Sequence, residues 1–175
     1  MTDHLDEPEQ TVSDPHELLL GHLDYYRDTL LRKLDGLDEA TLRDSARLPS
    51  GWSPLELVWH LLHVERRWLV WGFTAEQLPD PWGDTADNTP EGRWHVPDGA
   101  STTEVLDRFR RQCERSRAIA SGSPLHTRAA VGGRFPTEAA APTLSWILFH
   151  LVQEYARHVG QLDVVRELAD GETGE

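Results

Sequence analysis

Cysteine is nearly absent. Cys113 is the single one in 175 residues, so no intramolecular disulfide can form and the fold does not depend on oxidation. It reads as a small core side chain on a helix rather than as a reactive thiol. Long apolar runs are missing too: no segment approaches the roughly 20 apolar residues that span a bilayer. The opening residues, MTDHLDEPEQ, are acidic and polar, the opposite of a signal peptide. These absences predict a cytoplasmic protein that stays off membranes. Positive charge is also scarce, with 17 basic residues against 30 acidic ones and a net charge of −13. A nucleic-acid binder needs a basic footprint to displace counterions from phosphate. Basic residues do cluster at Arg108, Arg110, Arg111, Arg115 and Arg117, but acidic neighbours interrupt them. That run reads as a solvated helix face with ion pairs, so no nucleic-acid partner is expected.

What is present is helical periodicity. The length suits one domain that can bury a sufficient core unaided. Four segments repeat apolar residues at helical spacing. Helix one starts at Asp14 as N-cap with Pro15 behind it, runs through Leu19, Leu23, Tyr26, Leu30 and Leu34, and stops near Gly36. Helix two opens with Ser53-Pro54-Leu55-Glu56, a capping box, and carries Leu57, Leu61, Val64, Trp68 and Trp71. Helix three opens with the capping box Ser101-Thr102-Thr103-Glu104 and carries Val105, Leu106, Phe109, Cys113 and Ile119. Helix four begins after Pro142 and runs to about Ala169, with Gly171 as the residue that ends it. The expected architecture is all-α, an antiparallel four-helix bundle over residues 14–171, with tails at 1–13 and 172–175. A long Pro-, Gly-, Asp- and Trp-rich loop, residues 73–100, joins helices two and three, and loops of that length are often functional. Trp82 and Trp94 are its expected anchors over one end of the bundle. A second irregular stretch, residues 125–141, holds Gly132-Gly133 and suggests a turn or short hairpin.

Chemistry concentrates on helix four. His150, Glu154 and His158 follow one another at steps of four, which keeps them on one face beside Ile147 and Leu151. Imidazole and carboxylate groups on a semi-apolar face need partners or a metal. In the metal reading, Glu154 and His158 ligate one ion from a single helix and His60, on the inward stripe of helix two, completes the set. Such donors suit zinc, and also nickel, iron or manganese. Three protein ligands would leave a position for water or substrate. In the structural reading, His60 is a hydrogen-bonded core histidine and Glu154 with His158 an ordinary helical pair. Spacing alone leaves both open.

Two stretches resemble the signature segments of the DinB/YfiT-like superfamily. They are Gly51-Trp52-Ser53-Pro54 with His60-Leu61-Leu62-His63-Val64-Glu65, and His150-Leu151-Val152-Gln153-Glu154-Tyr155-Ala156-Arg157-His158-Val159-Gly160-Gln161-Leu162-Asp163. More narrowly they resemble its actinobacterial branch, which includes the mini-circle proteins, as does the closing Arg166-Glu167-Leu168-Ala169-Asp170-Gly171. The resemblance implies a four-helix bundle with a metal held by a histidine of helix two and two ligands of helix four. Carried over, these are His60, Glu154 and His158. Many members use two histidines on helix four; the His/Glu/His set here is similar to the metal-binding domain of the mycothiol-dependent maleylpyruvate isomerase. His63 and His150 are expected to support the ligands by hydrogen bonding or to lie in the core, and Arg157 to pair with a carboxylate, Glu65 being one choice.

The resemblance further implies a low-molecular-weight thiol, mycothiol, activated for attack on an electrophilic small molecule. That isomerase has an additional C-terminal domain contributing to its site, whereas this chain ends after helix four, so a thiol transferase is expected in place of the isomerase. A metal-dependent hydrolase with Glu65 or a loop carboxylate as base is one alternative. A non-enzymatic stress or binding protein is the other. The Trp-rich surface could support a homodimer.

Overall fold

The computed structural model describes residues 5–174. Among these the regular elements are helices, with α1 Pro15–Leu34, α2 Glu39–Leu42, α3 Pro54–Glu65, α4 Thr102–Ser121 and α5 Leu144–Ala169. The N-termini form where the sequence provides acceptors. Asp14 accepts from the His16 N–H at the head of α1, and Thr143 caps α5. Reciprocal capping boxes, Ser53 with Glu56 and Ser101 with Glu104, open α3 and α4. α2 is a single turn capped by Asp38 that the apolar pattern did not announce.

Ten of the twelve residues of α3 are buried, as a helix that is apolar on nearly every side must be. α1 packs against α5 and α4, and α3 packs against α4 and α5. The core between them is built from Leu23, Leu30, Leu57, Leu61, Phe109, Ile147, Leu151 and Tyr155. No helix among the described residues is long and apolar enough to cross a membrane.

Helix two outlasts α3. It continues as a π-helical segment, Arg66–Phe73, whose last turn leaves main-chain carbonyls without a partner in the helix. The irregular stretch before α5 uses them. Ala130 N–H donates to Phe73 O at 2.9 Å and Arg134 N–H to Trp71 O at 3.1 Å. Gly133 permits this approach, since a Cβ there would lie 2.1 Å from the Trp71 carbonyl. The expected short hairpin is reduced to one bridge between Arg128 and Thr143. The arginines of α4 behave as a solvated face: Arg110 pairs with Asp107, Arg115 with Glu76 and Arg117 with Asp24.

The long loop is more ordered than its composition suggests. Thr85 and Trp94 form an antiparallel bridge, flanked by hydrogen bonds from Ala86 N–H to Arg93 O and from His95 N–H to Asp84 O, both 2.9 Å. The loop is pinned to α3 by the Trp59 indole N–H, which donates to Gly83 O at 2.9 Å. Gly83 is dictated by this fit: a Cβ would come within 2.9 Å of His63 Nε2 and 2.8 Å of Asp80 Oδ2.

Candidate metal centre

α3 and α5 meet with His60 facing Glu154 and His158. One ligand atom from each of the three lies within 4.8 Å of the others. A tetrahedral ion with bonds of about 2.1 Å wants its ligand atoms about 3.4 Å apart, so small side-chain rotations would close the set. His158 Nε2 stands 3.4 Å from Glu154 Oε2 and His150 Nε2 stands 3.3 Å from Glu154 Oε1. These two imidazoles hold the Glu154 carboxyl well below the usual carboxylate range despite partial burial.

Both histidines of the cluster are oriented from behind. His60 Nδ1–H donates to Asp84 Oδ2 at 2.8 Å, and His158 Nδ1–H donates to Gln161 Oε1 at 2.8 Å. An ionised carboxylate only accepts, which puts the proton on His60 Nδ1 and turns the Nε2 lone pair toward Glu154 and His158. Asp84 is itself buried and clamped by Arg67, whose Nη2 donates to Asp84 Oδ2 at 3.0 Å. Burial alone would push the Asp84 carboxyl up; the His60 and Arg67 contacts outweigh it and hold it low. Burial likewise pushes the His60 imidazole down, against the pull of Asp84. Arg67 in turn lies over the Trp82 ring at 4.4 Å. Trp94 stacks on His60 at 3.9 Å and meets His158 edge-on at 5.5 Å, forming an aromatic wall.

His60, Glu154 and His158 are thus brought together, and His150 touches Glu154 while its ring packs against both Trp68 and Trp146. His63 is turned elsewhere. Its Nδ1–H donates to Trp59 O at 2.9 Å, and its Nε2 accepts from Arg66 at 2.9 Å. Glu65 takes Arg27 as its partner, not Arg157, because Arg27 reaches it from α1 with two donors at 2.8 and 2.9 Å. Glu65 also has no accessible surface, so it is unsuited to serve as a base toward substrate. Asp84, Arg67 and Gln161 had no place in the sequence reading. Gln161 was detectable, one turn beyond His158 on the same face. Asp84 was not, since a loop 24 residues from His60 in sequence carries no periodicity that would aim it.

A family model described as "MST: Mycothiol-S-transferase" matches residues 18–171. The chain belongs to this family. The mycothiol-S-transferase family falls within the DinB/YfiT-like superfamily. No curated protein matches the chain. The match spans all three clustered side chains of this mycothiol-S-transferase family member and the loop that delivers Asp84.

His63 provides a pH test of the site's scaffold. Burial pushes its imidazole down to about 4. The unfolded chain takes up a proton near pH 6.5 that the folded chain refuses until near pH 4, so stability is full above 6.5 and falls below it. Between pH 7 and pH 5 the loss from this group is about 2 kcal/mol. Urea unfolding at the two pH values should show a drop smaller by that amount in His63→Gln. Equal drops in both proteins would mean that His63 takes up its proton over the same pH range folded as unfolded.

Proposed function

We propose that this protein is a metal-dependent mycothiol S-transferase. His60, Glu154 and His158 hold one divalent ion, zinc being the first choice and nickel, iron or manganese the others. The observation that carries the reading is the convergence of these three ligand atoms within 4.8 Å in a chain of the mycothiol-S-transferase family. Two imidazoles and one carboxylate suit zinc, and a three-ligand set leaves a position open, as catalytic sites require. When bound, the ion would lower the pKa of a coordinated thiol, making the thiolate available at neutral pH.

The chain's own residues do the rest. Asp84 and Gln161 fix the ring orientation of His60 and His158, and Trp94 shields one flank. The loop of residues 73–100 and the stretch of residues 125–141 border the site and would select the electrophile. Packing of α1 against α4 and α5, and of α3 against the same two, supports an antiparallel four-helix bundle. We assign it to residues 14–171 as one domain. Within the superfamily, the resemblance of the residues around α3 and α5 supports assigning the chain to the actinobacterial mini-circle branch. The C–S bond would form by attack of the thiolate on the electrophilic carbon, with the leaving group departing with its electron pair and the thiol proton passing to solvent.

The test begins with metal content, by mass spectrometry on protein purified without an affinity tag, followed by mycothiol-dependent consumption of iodoacetamide. About one ion per chain is expected. Turnover above the uncatalysed rate should vanish on chelation and return with zinc. Absence of metal, even after dialysis against zinc or nickel, would sink the metal-dependent reading and leave the three side chains as paired core groups. Metal without any thiol-dependent turnover would favour a binding protein.

A further inference from the structure

Arg134 stands out among the cations near the site. It arises from the stretch that docks on the π-helical segment, where its own N–H donates to Trp71 O and the Gly132 N–H donates to Phe135 O at 3.1 Å, so its backbone is fixed on both sides. The guanidinium lies 4.0 Å above the Trp68 ring. Trp68 also packs against His150 at 4.5 Å, and His150 contacts Glu154. Arg134 is therefore separated from the ligand cluster by the width of one indole and one imidazole.

One of its donors is unmet. Nη1 is buried with no hydrogen-bond acceptor, and among the described residues no carboxylate pairs with Arg134. The stacking on Trp68 satisfies the face of the guanidinium but not the Nη1 donors. Arg67 and Arg66, by contrast, are matched to Asp84 and Asp80. In a chain with 13 more acidic than basic residues, an arginine beside the site without an acid is an exception. Burial and the nearby Arg67 charge push its guanidinium down to about 10, the expected response of a cation with no counterion. Trp146, 51% exposed, packs against Trp68 at 5.2 Å and extends its apolar surface.

We propose that Arg134 recognises a carboxylate on the electrophile, so that this site prefers substrates pairing a carboxylate with a flat apolar body. A planar guanidinium presents two parallel donors to a carboxylate, and pre-stacking on Trp68 leaves little side-chain freedom to lose on binding. The substrate class rests on the thiol-transfer reading; the carboxylate subsite itself does not.

Two matched pairs of probes test it on zinc-loaded protein. Calorimetry compares benzoate with benzamide, and kinetics with mycothiol compares iodoacetate with iodoacetamide, each corrected for the uncatalysed rate. In the kinetic pair the thiolate forms a C–S bond as the C–I bond breaks, and iodide leaves with its electrons. Wild type should bind benzoate and not benzamide. In Arg134→Met, benzoate affinity and the kcat/KM for iodoacetate should fall about tenfold to a hundredfold, with iodoacetamide turnover and zinc content unchanged. Arg134→Lys, which keeps the charge and loses the fork, should fall between, and Arg111→Met on α4 should match wild type. Benzoate binding that is undetectable, or equal in Arg134→Met and wild type, overturns the subsite. Arg134-dependent benzoate binding without turnover of either iodo compound upholds the subsite and rejects thiol transfer.

Discussion

Replacing Glu65 with alanine should destabilise the fold by about 3–5 kcal/mol, the usual penalty for stranding one partner of a buried ion pair. Glu65 closes α3 with no accessible surface. Arg27 grips both its oxygens, and the Tyr155 hydroxyl donates to Oε1 at 2.6 Å. The Cys113 thiol reaches the same oxygen at 3.7 Å. The pair therefore ties together α1, α3, α4 and α5. Burial would push the Arg27 guanidinium down, but the Glu65 charge overrides it and leaves it above its ordinary value. Burial and the same charge push both the Tyr155 phenol and the Cys113 thiol up, which keeps Cys113 an unreactive thiol. Without Glu65, Arg27 retains only Asp24, at 2.8 Å, on its own helix. Thermal melts should show Tm lower by roughly 10 °C or more for a chain of this size. The double variant Arg27→Met with Glu65→Leu should recover much of the loss, because two apolar residues need no counterion. A Glu65→Ala protein that melts within about 1 kcal/mol of wild type would show that water reaches Arg27 and that the pair is not truly buried.

Local signals and long-range contacts were legible to different degrees. Capping boxes at Ser53 and Ser101, the Asp14-Pro15 start and the Gly171 stop are encoded within four residues of where they act, and the helices begin and end there. Glu154 and His158 share a helix, so their common face follows from geometry alone. His60 joined them through the family resemblance and its inward stripe. The π-helical segment could not be read, because its apolar residues fit an α-helical period equally well and the Ala130–Arg134 stretch that docks on it is distant in sequence. Asp84 eluded the sequence for a similar reason: its place is set by the Thr85–Trp94 bridge and by Arg67, and neither leaves a periodic trace. The Arg157–Glu65 pairing failed because buried charge is matched by the donor that can be desolvated with it, and Arg27 at 5% exposure is that donor.

A graded series at the proposed metal centre should separate the groups that would bind the ion from those that orient them. His60→Ala and Glu154→Ala each remove a donor atom from the cluster of three, and neither protein should retain an ion through gel filtration, with the helical circular-dichroism signal intact. Asp84→Asn removes no donor. It weakens the hold on His60 Nδ1 and the clamp from Arg67, and zinc affinity should fall by about 10–100-fold, the range typical of partners behind a ligand histidine. Gln161→Ala, which frees His158 Nδ1 but alters no charge, should fall less than Asp84→Asn. Competition against a chromophoric chelator gives all four numbers on one scale. Asp84→Asn with wild-type affinity, beside a metal-free His60→Ala, would reduce Asp84 to an anchor for the loop. Wild-type affinity in His60→Ala as well would move the ion away from α3 altogether, and with it the meeting of α3 and α5 on which the site depends.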